Sequence, residues 1–172
     1  VLGCKVVNSR FDGPFNFARL VNEGSRHVKT PYMLLLNNDI EAIHPGWLED
    51  MVGWMSIKGV GVVGAKLIYP DKDIQHAGIV IGPHGGLADH QFHGIANNEV
   101  GYLALLHAAR NVSAVTAACL LTSMKIYNKM KGFDEKDFCV AYNDVDFCLR
   151  VMKDGKRIVY TPQATMIHLN SE

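Results

Sequence analysis

A run of eight residues, Tyr32-Met33-Leu34-Leu35-Leu36-Asn37-Asn38-Asp39, constrains the fold more than any other stretch. Tyr32 to Leu36 is continuously apolar, and three polar side chains follow with no spacer. A short segment apolar on both faces suits a strand in the middle of a sheet. Open α/β sheets bind ligands in the crevice at the carboxyl ends of their strands. Asn37, Asn38 and Asp39 would stand at that end. By itself, Asn-Asn-Asp is equally a polar turn. Pro45 then opens Pro45-Gly46-Trp47-Leu48-Glu49-Asp50-Met51-Val52, which reads as a helix with proline in its first turn.

The rest of the chain repeats this grammar. Val1 to Val7 is apolar and β-branched, and reads as a strand. Asn8 to Gly13 is turn-rich. Phe15, Phe17, Ala18, Leu20 and Val21 lie at helical spacing, with Gly24 as a stop. Strand, helix, strand favours a parallel pair with a right-handed crossover. Gly59 to Tyr69 reads as a strand, Pro70-Asp71 as a turn, and Ile74 to Ile81 as a further strand. Gly82 to Gly101 is rich in Gly and His without periodicity, and reads as a long loop of the kind that carries function. Asn111 to Thr122 reads as a second central strand, and Met124 to Lys131 as a short helix broken by Gly132-Phe133-Asp134. Asp144 to Asp154 has Val145, Cys148, Leu149 and Met152 at helical spacing, with Gly155 ending it. Two closing strands, Arg157 to Thr161 and Ala164 to His168, flank Pro162.

Composition excludes several classes. The 172 residues suffice for one domain with a substantial core. Lys+Arg and Asp+Glu balance at 17 each, so no basic excess points to nucleic acid. The apolar runs are too short to span a bilayer, and the amino end carries no signal peptide pattern and no initiator Met. Cys4, Cys119, Cys139 and Cys148 form no CxxC pair and sit in apolar patterns, which fits reduced, buried thiols in a cytosolic protein.

Three places carry candidate chemistry. Asp39 is a carboxylate at a strand end. Asp144 and Asp146 form an acidic pair at the start of a helix, where helix capping is an equal reading. The apolar and aromatic run Phe138 to Tyr142 would wall off whatever they face. His168 ends the last strand, and a lone histidine also has ordinary structural uses. Carboxylate with asparagine suits a hard cation such as Mg²⁺ or Mn²⁺, and imidazole joins Mn²⁺ more readily. The loop histidines His84, His90 and His93 suggest a competing zinc site completed by Asp89 or a cysteine. The cysteines, however, lie in apolar elements away from this loop.

Taken together, these pieces resemble the family 2 glycosyltransferases, especially the rhamnosyltransferase-like and O-antigen-type members. The resemblance runs through Pro14 to Asn22, Leu34 to Glu41, Pro45 to Glu49 and Val63 to Leu67. It continues through Gln75-His76-Ala77-Gly78, Arg110 to Thr116, Gly132 to Glu135, Tyr142 to Arg150, and His168. Each motif alone is weak, whereas their order and spacing together are specific.

The resemblance implies a GT-A fold, an α/β Rossmann-like domain with a mixed, mostly parallel central sheet flanked by helices. Residues 1–172 would be one domain, the carboxyl-terminal part of a GT-A domain truncated before its first nucleotide-binding strands. It implies an inverting transferase acting on a nucleotide-diphosphate sugar, UDP- or dTDP-linked, with a saccharide or lipid-linked acceptor. A Mg²⁺ or Mn²⁺ ion would be held by Asp39 and His168, with Asn37 replacing the first Asp of the DxD motif. Asp144 would be the catalytic base, as aspartate is ionised at neutral pH. Asn143 would replace the first acid of that pair. Asn37, Asn38, Asn16, Thr116, Ala117 and Asp146 would bind substrate, Ala117 standing where glycine is usual. The expected location is cytoplasmic, or peripheral at the inner face of the membrane. Without the missing strands, the fragment is expected to be inactive and to dimerise through an uncovered sheet edge. The alternative from another class is a non-catalytic sugar- or partner-binding module that reuses part of the fold.

Overall fold

The computed structural model describes residues 6–8, 12–82 and 86–169. The expected strand at Val1 to Val7 falls mostly outside them, and its described part, residues 6–8, is irregular. Cys4 and His84 also lie outside the described residues.

Helix α1 (Phe17–Ser25) begins at Asn16, whose extended backbone and side-chain oxygen, accepting from Arg19 N at 2.8 Å, form an N-cap. Gly24 does not stop it, for its φ stays out of the left-handed region and the helix runs one residue further. Strand β1 (Tyr32–Leu36) and the short β2 (Ile40–Ala42) flank the Asn37-Asn38-Asp39 turn. Helix α2 (Trp47–Met55) follows, entered through Gly46 at φ +89°. Strand β3 (Val60–Ile68) is buried at all nine positions.

Beyond β3 the chain is cut more finely than its apolar runs suggest. Ile74 to Ile81 is two strands, β4 (Ile74–His76) and β5 (Ile79–Ile81), parted at Gly78, whose φ is +91°. The expected loop after Gly82 contains β6 (Ala88–His90), which pairs antiparallel with β5. Asn111 to Thr122 also divides, into β7 (Arg110–Val112) and β8 (Cys119–Ser123), because the backbone leaves the sheet between them. Helix α3 (Met124–Lys129) is capped by Ser123, and α4 (Asn143–Lys153) runs to Gly155 at φ +78°. The two closing strands are one, β9 (Arg157–His168), with a bulge opposite Ala65/Lys66 that absorbs Pro162.

The main sheet is mixed and runs β1-β8-β3-β9-β2, with β4 on β3 and β7 on β9. β3 and β9 are parallel, and the other described pairs are antiparallel. The parallel weighting expected from the sequence leaned on a partner for β1 at residues 1–7, most of which are not described.

β1 is the main correction. The continuous run Tyr32–Leu36 reads as a central strand, but among the described residues it pairs only with β8 and forms an edge. Met33 is buried, whereas Leu36 is 45% exposed. The central place belongs to β3, between β8 and β9.

Alternation along the central strands divides the core. Val62, Leu120 and Ile158 face α1, α3 and α4, packing with Ala18, Tyr127, Phe147 and Val151. Their neighbours Val63, Leu121 and Val159 face α2, packing with Met51 and Met55. Each such side chain contributes about 1.5–3 kcal/mol on burial. Helices therefore cover both faces of the sheet.

Candidate active site

Antiparallel pairing of β2 with β9 sets Ile40 opposite His168, and Leu169 N donates to Asp39 O at 2.8 Å. That register brings Asp39 Oδ1 to 3.1 Å from His168 Nε2. Asn37 Nδ2 lies 3.5 Å from the same ring nitrogen. Asn37 is itself held where β1 ends, its N–H donating to Ala118 O at 2.9 Å.

Gln75 fixes the chemistry of this group. His168 Nδ1 is 2.6 Å from Gln75 Oε1, an acceptor, so Nδ1 carries a proton and donates it. In the neutral ring Nε2 then has only its lone pair, facing a carboxylate oxygen. Two acceptors at this distance are reconciled by a proton, giving an imidazolium–carboxylate pair, or by a cation between them. One carboxylate and one imidazole, the latter oriented through its distal N–H, form a donor set that fits Mn²⁺ or Mg²⁺. No described group of three or more His, Cys, Asp or Glu is placed to hold a metal. A cation at Asp39 and His168 would therefore take its remaining ligands from water or from a substrate's phosphates, as Mg²⁺ commonly does.

Asp144 stands in the first turn of α4. Its Oδ2 accepts from Ala117 N at 2.9 Å and its Oδ1 from Val145 N at 2.8 Å. Each oxygen retains acceptor capacity beyond one such bond. The helix amino end stabilises the negative charge. Tyr142, just outside the helix, is in the left-handed region at φ +60°.

Asn37, Asp144 and His168 line one cavity of about 460 Å³ together with Thr116, Ala117 and His90. A second cavity of about 300 Å³ shares Thr116, His90 and His168 and adds Tyr69, Gln75 and His93.

Three sequence-predicted residues stand apart. Arg150 donates through both Nη2 and Nε to Asp146 Oδ2, at 2.6 and 2.8 Å, and also to Met130 O and Gly132 O, tying α4 to the turn after α3. Asn16 is engaged as the α1 cap, its Nδ2 donating to Glu135 O at 2.9 Å. Asn38 sits exposed in the turn between β1 and β2.

The histidine-rich stretch also differs from its sequence reading. His90 Nδ1 lies 2.9 Å from Nδ1 of fully buried His76, and His93 Nε2 lies 3.0 Å from Tyr69 Oη. Burial holds the His76 pKa well below the usual imidazole range, helped by His90 and Arg110. His90 is lowered for the same leading reason, with Asp144 and Asp89 pulling the other way and His93 adding to the fall. Cys119 and Cys148 are held as protonated thiols by their burial. Cys119 is pushed up to about 12 by burial, Cys148 is raised by its burial, and both are free, as is the half-buried Cys139.

Gln75 and His76 are the residues that sequence reasoning passed over as site members, and His90 was read there only as a zinc ligand. The three residues of β6 are too few to show a strand period in the sequence.

No family model matches the chain. It is 42% identical over 158 residues to the uncharacterized protein y4gI of Sinorhizobium fredii (strain NBRC 101917 / NGR234), covering 92% of this chain and 17% of that one. It is 34% identical over 168 residues to the O-antigen biosynthesis protein RfbC of Myxococcus xanthus, covering 97% of this chain and 13% of that protein. The chain thus spans less than a fifth of either relative. Among solved structures it resembles the mannosyltransferase PcManGT of Pyrobaculum calidifontis, in complex with GDP-Man and Mn²⁺, with a TM-score of 0.62 at 13% identity. That match covers 97% of this chain and 39% of that one. It also resembles GalNAc-T7 with UDP, GalNAc and Mn²⁺, with a TM-score of 0.70 at 9% identity over 94% of this chain and 32% of that one. At such identities the structural likeness shows the fold alone: the chain has the mixed α/β GT-A fold of these two structures.

Proposed function

We propose that this domain serves an inverting glycosyl transfer from a nucleotide-diphosphate sugar to a hydroxyl acceptor. The observation that carries the reading is that Asp144 and His168, the latter paired with Asp39, line one cavity. A divalent cation, when bound, supplies neutralisation of the charge that builds on the leaving diphosphate. Asp39 and His168 would hold it, with Gln75 orienting the imidazole. Asp144 accepts the proton of the attacking hydroxyl. The amides of Ala117 and Val145 hold its carboxylate in place as that proton arrives. Asn37 and Thr116 offer polar contacts to the donor, and Phe17, Ile79 and Val145 supply the apolar lining that limits water.

The test is turnover of the full-length protein over a panel of UDP-, GDP- and dTDP-sugars with Mn²⁺. Asp144→Asn keeps the shape and removes the proton acceptor, so turnover should fall about 10²–10⁴-fold with donor affinity little changed. Normal turnover in that variant would remove Asp144 from the chemistry. Donor binding without turnover across the panel would favour a non-catalytic sugar-binding module.

A further inference from the structure

The His76–His90 pair has no place in the transfer chemistry above, yet it reaches the same cavity. Gly78 N donates to His76 Nε2 at 3.3 Å, so that nitrogen bears the lone pair. The neutral His76 ring must carry its proton on Nδ1, which lies 2.9 Å from His90 Nδ1. His90 Nδ1 is therefore the acceptor, and its ring carries the proton on Nε2. The rings cross edge to face at 79° with centroids 4.9 Å apart, which leaves Nε2 as the polar atom His90 offers to the two cavities it lines. The arrangement is built in from the scaffold. His76 is wholly buried on β4, and Ile79↔His90 pairing fixes His90 on β6. Arg110, donating to Ala77 O at 2.5 Å and stacked 4.9 Å from the Tyr160 ring centre, places a fixed positive charge beside His76. Two neutral rings in a fixed relay are the consequence.

We propose that His90 is a ligand-binding residue that donates its Nε2–H to a hydroxyl oxygen of a pyranoside seated where the two cavities meet. The inference rests on the glycosyl-transfer reading and deepens it, naming a contact for the hydroxyl-bearing acceptor. A neutral donor suits this position. It can grip a hydroxyl oxygen beside Asp144 without adding a mobile proton that competes for the carboxylate. Asp89, Asp144, His76 and His93 are the titratable groups facing the ring.

The experiment has two arms and needs no turnover. Histidine-selective ¹⁵N labelling of the whole chain reads the tautomer directly. His90 is expected as the Nε2–H form, and a ring protonated at Nδ1 would overturn the relay. Methyl α-glucopyranoside and methyl α-rhamnopyranoside then serve as probes. Titration should shift the His90 ring signals. His90→Phe should weaken binding about five- to tenfold, the size of one lost neutral hydrogen bond. His90→Gln, whose amide nitrogen can take the place of Nε2–H, should bind within a few-fold of the unaltered chain. Equal binding by His90→Phe, or no binding of either pyranoside to the unaltered chain, would overturn the proposal. Failure of the glycosyl-transfer reading would instead appear as an Asp144→Asn variant of normal turnover, with tautomer and pyranoside binding unchanged.

Discussion

Gly64→Ala tests how the central strand and the site are joined. Gly64 lies in the middle of β3, with Leu120 opposite it on β8 and Tyr160 on β9. A Cβ added there would stand 2.4 Å from Val115 Cβ and 2.6 and 2.8 Å from its two methyl carbons. Neither side can give way easily. β3 is held by strands on both edges, and Val115 is fully buried and β-branched, with a stiff χ1. Overpacking of this kind costs about 1–3 kcal/mol. Replacing a strand glycine returns about 0.5–1 kcal/mol through the unfolded chain. The net expectation is a loss of about 1–2 kcal/mol, read as a lower urea midpoint at unchanged slope.

The strain should also travel. Val115 sits two residues before Ala117, whose N–H holds Asp144 Oδ2. Gly61→Ala is the matched control, because its added Cβ meets Val151 Cγ1 at 2.6 Å and Lys156 Cβ at 2.8 Å, away from residues 115–117. Both variants should lose stability, but only Gly64→Ala should shift the amide signals of Ala117 and Asp144. An unchanged or raised urea midpoint in Gly64→Ala would refute the packing argument. Equal disturbance at Ala117 in both variants would refute the coupling.

Other outcomes follow from single contacts. Gln75→Leu removes the acceptor that orients His168 and should weaken Mn²⁺ retention in the presence of UDP about 10–100-fold, measured by electron paramagnetic resonance. Asp146→Asn should lower stability by about 1–3 kcal/mol through Arg150, with turnover by the folded enzyme largely kept, unlike Asp144→Asn. His76 has a folded pKa well below the unfolded value near 6.5, so the unfolded chain binds the proton first as pH falls. Its contribution is full above about pH 6.5 and declines below it by up to about 1.4 kcal/mol per pH unit, a slope that His76→Asn should reduce in urea titrations.

Much of this architecture was legible in the sequence because apolar period and helix signals are local. β3, α2 and α4 fall within a few residues of their expected bounds. What was not legible depends on tertiary partners. The run Tyr32–Leu36 looks central by composition, but edge or centre is decided by which strands lie beside it. Asn111 to Thr122 looks continuous, but the chain leaves β9 after Val112 and enters between β1 and β3 at Cys119. The excursion carries Thr116 and Ala117 over the cavity. The same limit applies to Asp144 and Asp146. Both are acids in the first turn of α4, and only the position of Arg150 and of Ala117 N separates an ion-paired strut from a carboxylate facing a cavity.

One short strand of the main sheet organises the histidines at its rim. β4 has three residues, and Gln75 and His76 are adjacent on it, Gln75 being the extra residue between the two pairs that β4 makes with β3. Gln75 takes the Nδ1 proton of His168, while His76 gives its own to Nδ1 of His90. One imidazole is thereby left presenting a lone pair at Nε2 and the other an N–H at the same position. A cation ligand and a neutral donor can thus be built from the same residue type by two neighbours on one strand. A shift of register by a single residue would misplace both neighbours and defeat both contacts. The pairing Leu67↔His76 and Ile68↔Ile74, with an irregularity between, is what pins that register. The chemistry of the rim therefore traces to a bulge in β4 at Gln75, and a deletion within Pro70 to Asp73 that slipped β4 should disable cation and pyranoside binding together.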